Sequence, residues 1–199
     1  MAAVATSIIF PTPKTGNYCA YFNSTSLPLA ISSSSSMVFG LGDFTVETWV
    51  YTTSPPASSQ VLGLFDMRGA GATGTGLFFG LTGTNTPVSG NTPYYPYIGV
   101  NGTTYLVSSI IAATNTWTHI AYVRQGGTLT IYVNGKSGGS VAYTNNLSDY
   151  GTFPFCIGGQ IGGGASYYYG FMDQIRFTKA ARYTAPFTPP TTYLTNGPL

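Results

Sequence analysis

Few side chains in this chain could carry acid–base chemistry, and the carboxylates are the first to consider. The 199 residues include five acidic residues and one histidine. Asp43 and Glu47 are four positions apart in a strand-like run, so their side chains fall on one face. Hydrolysis of a glycosidic bond takes two carboxylates that flank the bond. Glu47 is the single glutamate, and we predict a structural residue hydrogen-bonded to a neighbouring strand or loop; we expect no enzyme.

His119 and the two cysteines add little to this chemistry. Any Ser-His-Asp arrangement would depend on His119 alone, and we expect a hydrogen-bonded histidine at the margin of the fold. Cys19 and Cys156 are far apart and lack the spacing of metal or redox motifs. We predict that both are buried free thiols rather than a disulfide, in keeping with assembly in a reducing cytosol.

Charge is scarce along the whole sequence. Charged residues make up 6% of the chain and the formal net charge is +2, whereas about a quarter is usual. Without a basic patch to neutralise phosphates, electrostatic binding of nucleic acid is excluded. No segment is long and apolar enough to span a bilayer, so we expect no membrane partner. The 26 glycines and 16 tyrosines, with Ser, Thr and Asn, give a surface suited to contact with proteins or sugars.

Six tyrosines in two loop-like clusters are the candidate contact residues. They are Tyr94, Tyr95, Tyr97, Tyr167, Tyr168 and Tyr169. Exposed rings can stack on sugar rings, and phenol hydroxyls can bind sugar hydroxyls. The same rings could instead pack on neighbouring loops or on other subunits, because a Tyr-rich surface with few charges suits a protein interface equally well.

Alternating segments predict the strands that must position these residues. Leu129, Ile131 and Val133 fall on one face of a strand whose other face is polar, which is typical of a half-buried antiparallel strand. We predict that they face an inter-sheet core together with Phe44, Val46 and Val50. Asn134-Gly135, directly after this strand, is the dipeptide that best fits a type I′ hairpin turn.

Twelve strand-like runs are separated by clusters of turn residues. They lie near residues 18–23, 27–31, 43–51, 60–66, 76–81, 95–100, 104–110, 117–124, 128–133, 139–143, 153–157 and 170–178. Helix signals are almost absent. The spacing therefore predicts an all-β sandwich rather than a fold of alternating strands and helices.

Three segments together carry a family resemblance. They are DFTVETWV from Asp43 to Val50, the WTHIAYVR, GGTL and YVNG blocks between Trp117 and Gly135, and GFMDQIRF from Gly170 to Phe177. These segments resemble laminin-G-like domains of the concanavalin A-like superfamily. The resemblance implies a two-sheet antiparallel jelly roll. That superfamily includes glycoside hydrolases, but the Glu-x-Asp-x-x-Glu pattern of the laminarinase-like enzymes is absent here.

The same resemblance raises the question of calcium, because many laminin-G domains bind it through one or two aspartates, backbone carbonyls and water. The candidate ligands are Asp66, Asp149 and Asp173. Asp173 belongs to a motif in which the family uses it mainly structurally, and Arg68 is a possible same-face partner of Asp66. We expect no cofactor, with calcium as the alternative.

The ending KAARYTAPFTPP, from Lys179 to Pro190, is similar to the ending of laminin-G-like proteins of tailed bacteriophages. We expect an extended N-terminal arm (1–16), one jelly-roll domain (17–185) and an extended C-terminal tail (186–199). Other virion subunits would order both arms; the alternative is that the arms fold back onto their own sandwich. The resemblance implies a non-enzymatic virion protein, made in the bacterial cytoplasm and exposed on the particle. A homo-oligomeric head decoration protein is our first interpretation, with capsid or tail subunits as partners. The alternative is an adhesin or tail-fibre-associated lectin that binds host polysaccharide.

Overall fold

The computed structural model describes residues 12–14, 18–23, 28–32, 35, 38–53, 61–68, 76–83, 93–100, 103–147, 154–160 and 166–192. These residues form twelve β-strands. The strands are β1 (Ala20–Asn23), β2 (Leu29–Ile31), β3 (Phe44–Thr52), β4 (Val61–Asp66), β5 (Leu77–Thr82), β6 (Pro96–Val100), β7 (Thr103–Val107), β8 (Trp117–Gln125), β9 (Thr128–Val133), β10 (Lys136–Ala142), β11 (Phe155–Ile157) and β12 (Tyr169–Thr178). The twelve predicted runs are confirmed as strands, with boundaries that shift by a few residues.

The strands form two antiparallel sheets of six, as the predicted sandwich requires. The first sheet has the order β1-β12-β3-β8-β9-β10, and the second has the order β2-β11-β4-β5-β6-β7. The predicted two-sheet antiparallel fold is confirmed. The described part of the chain contains no helix that is long and apolar enough to cross a membrane.

The core between the sheets contains the apolar side chains that alternation predicted. Leu129, Ile131 and Val133 of β9 are at most 1% exposed and belong to one hydrophobic cluster. Phe44, Val46 and Val50 of β3 join the same cluster. Burial of this continuous apolar face is the main force that holds the sheets together.

Two tight turns fix the register of the β8–β9–β10 meander. Gly126 and Gly127 connect β8 to β9 with φ angles of +53° and +77°, and Asn134 and Gly135 connect β9 to β10 with +48° and +76°. Positive φ at both central residues is the requirement of a type I′ turn, whose twist matches that of the flanking strands. The predicted Asn-Gly hairpin turn is confirmed.

Both cysteines are free thiols, as predicted. Cys156 on β11 is buried, but Cys19 is only half-buried, so the prediction of two buried thiols is wrong for Cys19. The reason is its position: Cys19 directly precedes β1, which is an edge strand of the first sheet. Burial raises the pKa of the Cys19 thiol, and the charge of Asp173 adds to the effect.

The outer face of the first sheet is covered in part by residues 179–190, which we call the C-terminal segment. The Thr45 hydroxyl donates to the Ala180 carbonyl at 2.8 Å, and the Phe187 amide donates to the Gly135 carbonyl at 2.9 Å. Phe187, within the predicted tail, therefore packs on its own domain. Most of the predicted N-terminal arm and residues 193–199 lie outside the described residues.

Candidate functional site

The outer face of the first sheet is organised in rows that run across the strands. One row consists of Arg176, Glu47, Ala121 and Tyr132. The neighbouring row consists of Thr45, Val123, Thr130 and Ser140. Thr45, the charged end of the first row and the apolar centre of both rows lie beneath the C-terminal segment. Thr130 and Ser140 lie beside it.

Glu47 is the centre of a buried polar cluster. Its side chain is fully buried and accepts hydrogen bonds from Tyr183 at 2.7 Å, from His119 Nε2 at 3.1 Å and from Arg176 Nε at 2.8 Å. Nε of Arg182 lies 4.0 Å from Oε1 of Glu47. A buried carboxylate is tolerated only when it is paired and hydrogen-bonded in this way. The predicted hydrogen bonding of Glu47 to neighbouring strands and a loop is confirmed.

The electrostatics of this cluster favour an ionised Glu47. Burial alone would raise the pKa of Glu47, but the hydrogen bonds from His119 and Tyr183 and the charge of Arg176 outweigh it and lower the pKa. Burial and the neighbouring Glu47 charge raise the pKa of Tyr183, so its phenol remains a hydrogen-bond donor.

His119 lies in the middle of this cluster and not at the margin of the fold. Its side chain is fully buried, because β8 is an internal strand and the C-terminal segment covers it. The ring contacts Phe187 edge-on at 5.7 Å between centroids and Tyr183 at 6.3 Å. The predicted hydrogen bond is present, whereas the predicted position at the margin is wrong.

Beside the C-terminal segment, an open groove of about 550 Å³ crosses β8, β9 and β10. Val123 and Tyr132 are its buried floor, and Tyr183 and Thr184 of the C-terminal segment line one side. The remaining lining residues come from the end of β8, the β8–β9 turn and the outer faces of β9 and β10. They are Gln125, Gly126, Thr128, Thr130, Ser137 and Ser140.

The groove offers hydroxyl groups on a rigid support. Thr130 and Ser140 lie opposite each other on β9 and β10, and their hydroxyl oxygens are 2.8 Å apart. The Phe187 ring stacks on Tyr183 with 3.5 Å between centroids and an angle of 5°, and contacts Tyr132 edge-on at 5.5 Å. These contacts hold the aromatic part of the groove in one arrangement, and its volume is in the range of small-molecule sites.

The six predicted tyrosines do not form one patch. Tyr97 and Tyr168 are buried: Tyr97 on the outer face of the second sheet, and Tyr168 in the core, where its hydroxyl is 3.1 Å from that of Thr52. The other four, Tyr94, Tyr95, Tyr167 and Tyr169, are half-buried. Tyr94 has a φ of +70°, and its amide donates to the Thr82 carbonyl at 2.7 Å.

Tyr97 belongs to a second polar cluster, on the outer face of β4 and β5. Its ring lies 5.7 Å from that of Phe78, and the Arg68 guanidinium lies 4.4 Å above Phe78. Asp66 holds Arg68 through two hydrogen bonds, of 2.9 Å and 3.1 Å. The predicted pairing of Asp66 with Arg68 is confirmed. Tyr167 lies on the same side, against Gly159.

At Asp66, the first candidate calcium ligand, both carboxylate oxygens accept hydrogen bonds from Arg68. Asp173 is buried on β12, and Asp149 lies outside the described residues. Across the described ranges, no group of three or more His, Cys, Asp or Glu side chains could hold a metal ion.

Sequence reasoning did not find the groove. Alternation correctly placed Thr128, Thr130 and Tyr132 on the outer face of β9, and the hairpin turns made β8 and β10 its neighbours. What it lacked was the long-range contact: Tyr183 reaches this face only because the C-terminal segment folds back onto Glu47, 136 residues earlier in the chain.

Several solved structures with a similar fold come from carbohydrate-related proteins. A protein of Bacteroides ovatus that has been proposed to bind carbohydrate aligns with a TM-score of 0.63 and 19% identity over 82% of this chain, which spans 44% of that protein. Domain 4 of AbnA, an extracellular GH43 arabinanase of Geobacillus stearothermophilus, was solved in complex with arabinotriose. It aligns with a TM-score of 0.60 and 17% identity over 89% of this chain and 77% of that domain.

A third similar structure is the CBM40 of a Ruminococcus gnavus sialidase, solved with α2,3-sialyllactose. It aligns with a TM-score of 0.58 and 15% identity over 82% of this chain and 92% of that domain. At such identities the likeness shows the fold alone. No curated protein sequence matches the chain. Residues 23–185 match the Laminin_G_3 family model, so the chain belongs to this family of the concanavalin A-like lectin/glucanases superfamily.

Proposed function

We propose that this protein is a non-enzymatic carbohydrate-binding domain and that its ligand occupies the groove across β8, β9 and β10. The observation that carries the proposal is the groove itself, in which hydroxyl groups of Thr128, Thr130 and Ser140 stand beside tyrosine rings. Hydroxyl groups both donate and accept hydrogen bonds, as sugar hydroxyls do. Aromatic groups on a preformed surface supply apolar contact for sugar rings.

The similar solved structures support this assignment by analogy of fold. Two of them hold saccharides: arabinotriose in the AbnA domain and sialyllactose in the CBM40 domain. Fold analogy is weak support for function on its own, so the lining of the groove carries the argument.

The described carboxylates support a role without catalysis. Glycoside hydrolysis needs two carboxyl groups at an open cleft. Glu47 is enclosed by its own partners, and Asp43, on the same strand face, accepts a hydrogen bond from the Gly126 amide at 2.9 Å. Neither arrangement leaves an acid and a nucleophile on either side of a bound sugar.

A glycan array followed by titration calorimetry tests the proposal. Ser140→Trp should fill the groove and abolish binding of any glycan that the array identifies. Thr116→Trp is the matched control, because Thr116 is exposed in the loop before β8 and does not line the groove. Undiminished binding by Ser140→Trp would place the ligand elsewhere and contradict the proposal, as would an array without any bound glycan.

The second candidate function is that of a bacteriophage virion protein. Its favoured form is a homo-oligomeric head decoration protein on the particle surface. One observation favours such a subunit contact. Edge strands β1 and β2 lie on the same side of the sandwich, because Phe22 of β1 packs over Gly158, which follows β11. Four large apolar residues are solvent-exposed on this side, with exposed fractions of 87% for Tyr18, 36% for Tyr21, 55% for Leu29 and 40% for Ile31. Exposed apolar edges of this kind are typical of subunit contacts.

Co-purification with phage particles tests this second candidate. Leu29→Lys should remove the protein from particles, whereas Leu41→Lys, at a residue that is 70% exposed before β3, should not. Cryo-EM of the particles then shows whether the protein lies on the head or on the tail. On the tail, a fibre-associated adhesin would bind its ligand in the groove. Full occupancy by Leu29→Lys would refute a contact through β1 and β2.

A further inference from the structure

We infer that the groove selects neutral saccharides and rejects acidic ones such as sialic acids and uronic acids. The inference rests on the proposed carbohydrate-binding function and specifies its ligand class.

Every side chain known to line the groove is uncharged. The polar groups are hydroxyls of threonine, serine and tyrosine, together with the amide of Gln125. Such groups can donate hydrogen bonds to the hydroxyls of a neutral sugar and accept hydrogen bonds from them. A sugar carboxylate is instead recognised by charge-assisted hydrogen bonds, above all from an arginine fork. The described lining offers no such partner, so a bound carboxylate would lose water without gaining a counter-charge.

The arginines of the neighbouring strands are directed to other partners. Arg124 is 1% exposed, and its guanidinium donates to the carbonyl oxygens of Gly40, Gly42 and Asn145. Arg176 is paired with Glu47 beneath the C-terminal segment, with Nη2 2.7 Å from the carboxylate. Recruiting Arg176 to a ligand would take this partner from the buried Glu47 carboxylate, and recruiting Arg124 would break its hydrogen bonds to three carbonyl oxygens. Both changes are unfavourable.

A carboxylate beside the groove adds a repulsive element. Asp43 accepts a hydrogen bond from Gly126, and Gly126 lines the groove at the β8–β9 turn. A negative charge at this end raises the electrostatic potential energy of an acidic ligand. Discrimination therefore has both of its usual sources: groups that fit the neutral ligand and a charge that disfavours the acidic one.

Binding of the intact protein to a panel of immobilised neutral and acidic oligosaccharides tests the inference. The neutral set includes arabinotriose and lactose, and the acidic set includes sialyllactose and an oligouronate. We expect binding within the neutral set and at least about tenfold weaker binding of every acidic probe. Wild-type protein that binds an acidic probe as tightly as the neutral ones would overturn the inference and leave the proposed function standing. Absence of binding to both sets would overturn the two together.

A substituted groove tests the cause of the selectivity. Ser140→Arg places an arginine beside Thr130 and should strengthen binding of the acidic probes by about tenfold or more. Thr116→Arg adds the same charge outside the groove and should leave the ratio of acidic to neutral binding unchanged. An equal change in both variants would mean that net charge, and not the groove, sets the selectivity, which contradicts the inference.

Discussion

Tyr183 donates a 2.7 Å hydrogen bond to Glu47, which joins the C-terminal segment to the centre of the first sheet. The same carboxylate accepts hydrogen bonds from Arg176 and His119. The only glutamate of the chain therefore holds β3, β8, β12 and the C-terminal segment together. One side of the groove depends on this contact, because Tyr183 lines it.

Glu47→Gln should destabilise the protein by about 3–5 kcal/mol, because it leaves the Arg176 charge buried without its partner. Chemical denaturation measures the loss. Asp43→Asn is the control, since this side chain accepts one exposed hydrogen bond and its change should cost about 1 kcal/mol. Equal losses in the two variants would contradict the structural role of Glu47.

The lowered pKa of Glu47 predicts that stability depends on acidity. A carboxyl group whose pKa is lower in the folded state contributes stability that is fully present above its unfolded pKa, about 4.5. This contribution decreases as the pH falls from that value through the folded pKa. The unfolding free energy should therefore fall as the pH drops below about 4.5, and Glu47→Gln should make the fall smaller. An identical pH profile for both proteins would show that other groups cause it.

Ile131→Ala should cost about 2–5 kcal/mol, because the removed atoms leave a cavity between the two sheets. Ile131 is fully buried in the main cluster, whereas Thr128 on the same strand is exposed and Thr128→Ala is the control. Denaturation curves of the two variants give the comparison. A loss below about 1 kcal/mol for Ile131→Ala would mean that this face of β9 is not the core face.

Local patterns were sufficient to predict the strands and the core, but not the site. The positions of Leu129 and Ile131 follow from alternation, and the turn at Gly135 follows from the φ angles that Asn-Gly allows. The burial of His119 does not follow from its own strand. It results from Phe187 and Tyr183, which are far away in sequence and cover it only in the folded chain.

The positions of the tyrosine rings also depend on long-range contacts. Composition indicates amphipathic rings, but the contacts of each ring decide between surface and core. Tyr168 became a core residue because its hydroxyl finds Thr52, whereas Tyr183, which was not selected, lines the groove. A pattern of tyrosine-rich loops does not show which rings are buried and which lie at the surface.

Two turn glycines provide a final test of how the C-terminal segment is seated. Gly126 and Gly135 both have positive φ, so alanine at either position pays about 1 kcal/mol of backbone strain. An added Cβ at Gly126 would meet nothing within 4 Å. At Gly135 it would overlap the Phe187 carbonyl oxygen and lie 3.3 Å from Pro189 Cδ.

Gly135→Ala should therefore cost about 1–3 kcal/mol more than Gly126→Ala, since the C-terminal segment must move away from the turn. The amide of Phe187, which donates to the Gly135 carbonyl at 2.9 Å, should also exchange its hydrogen faster in Gly135→Ala alone. Denaturation and hydrogen exchange measure the two effects. Because Tyr183 stacks on Phe187 and lines the groove, glycan binding should weaken in the same variant. Equal stabilities and equal exchange rates in the two variants would show that the segment is not packed against this turn.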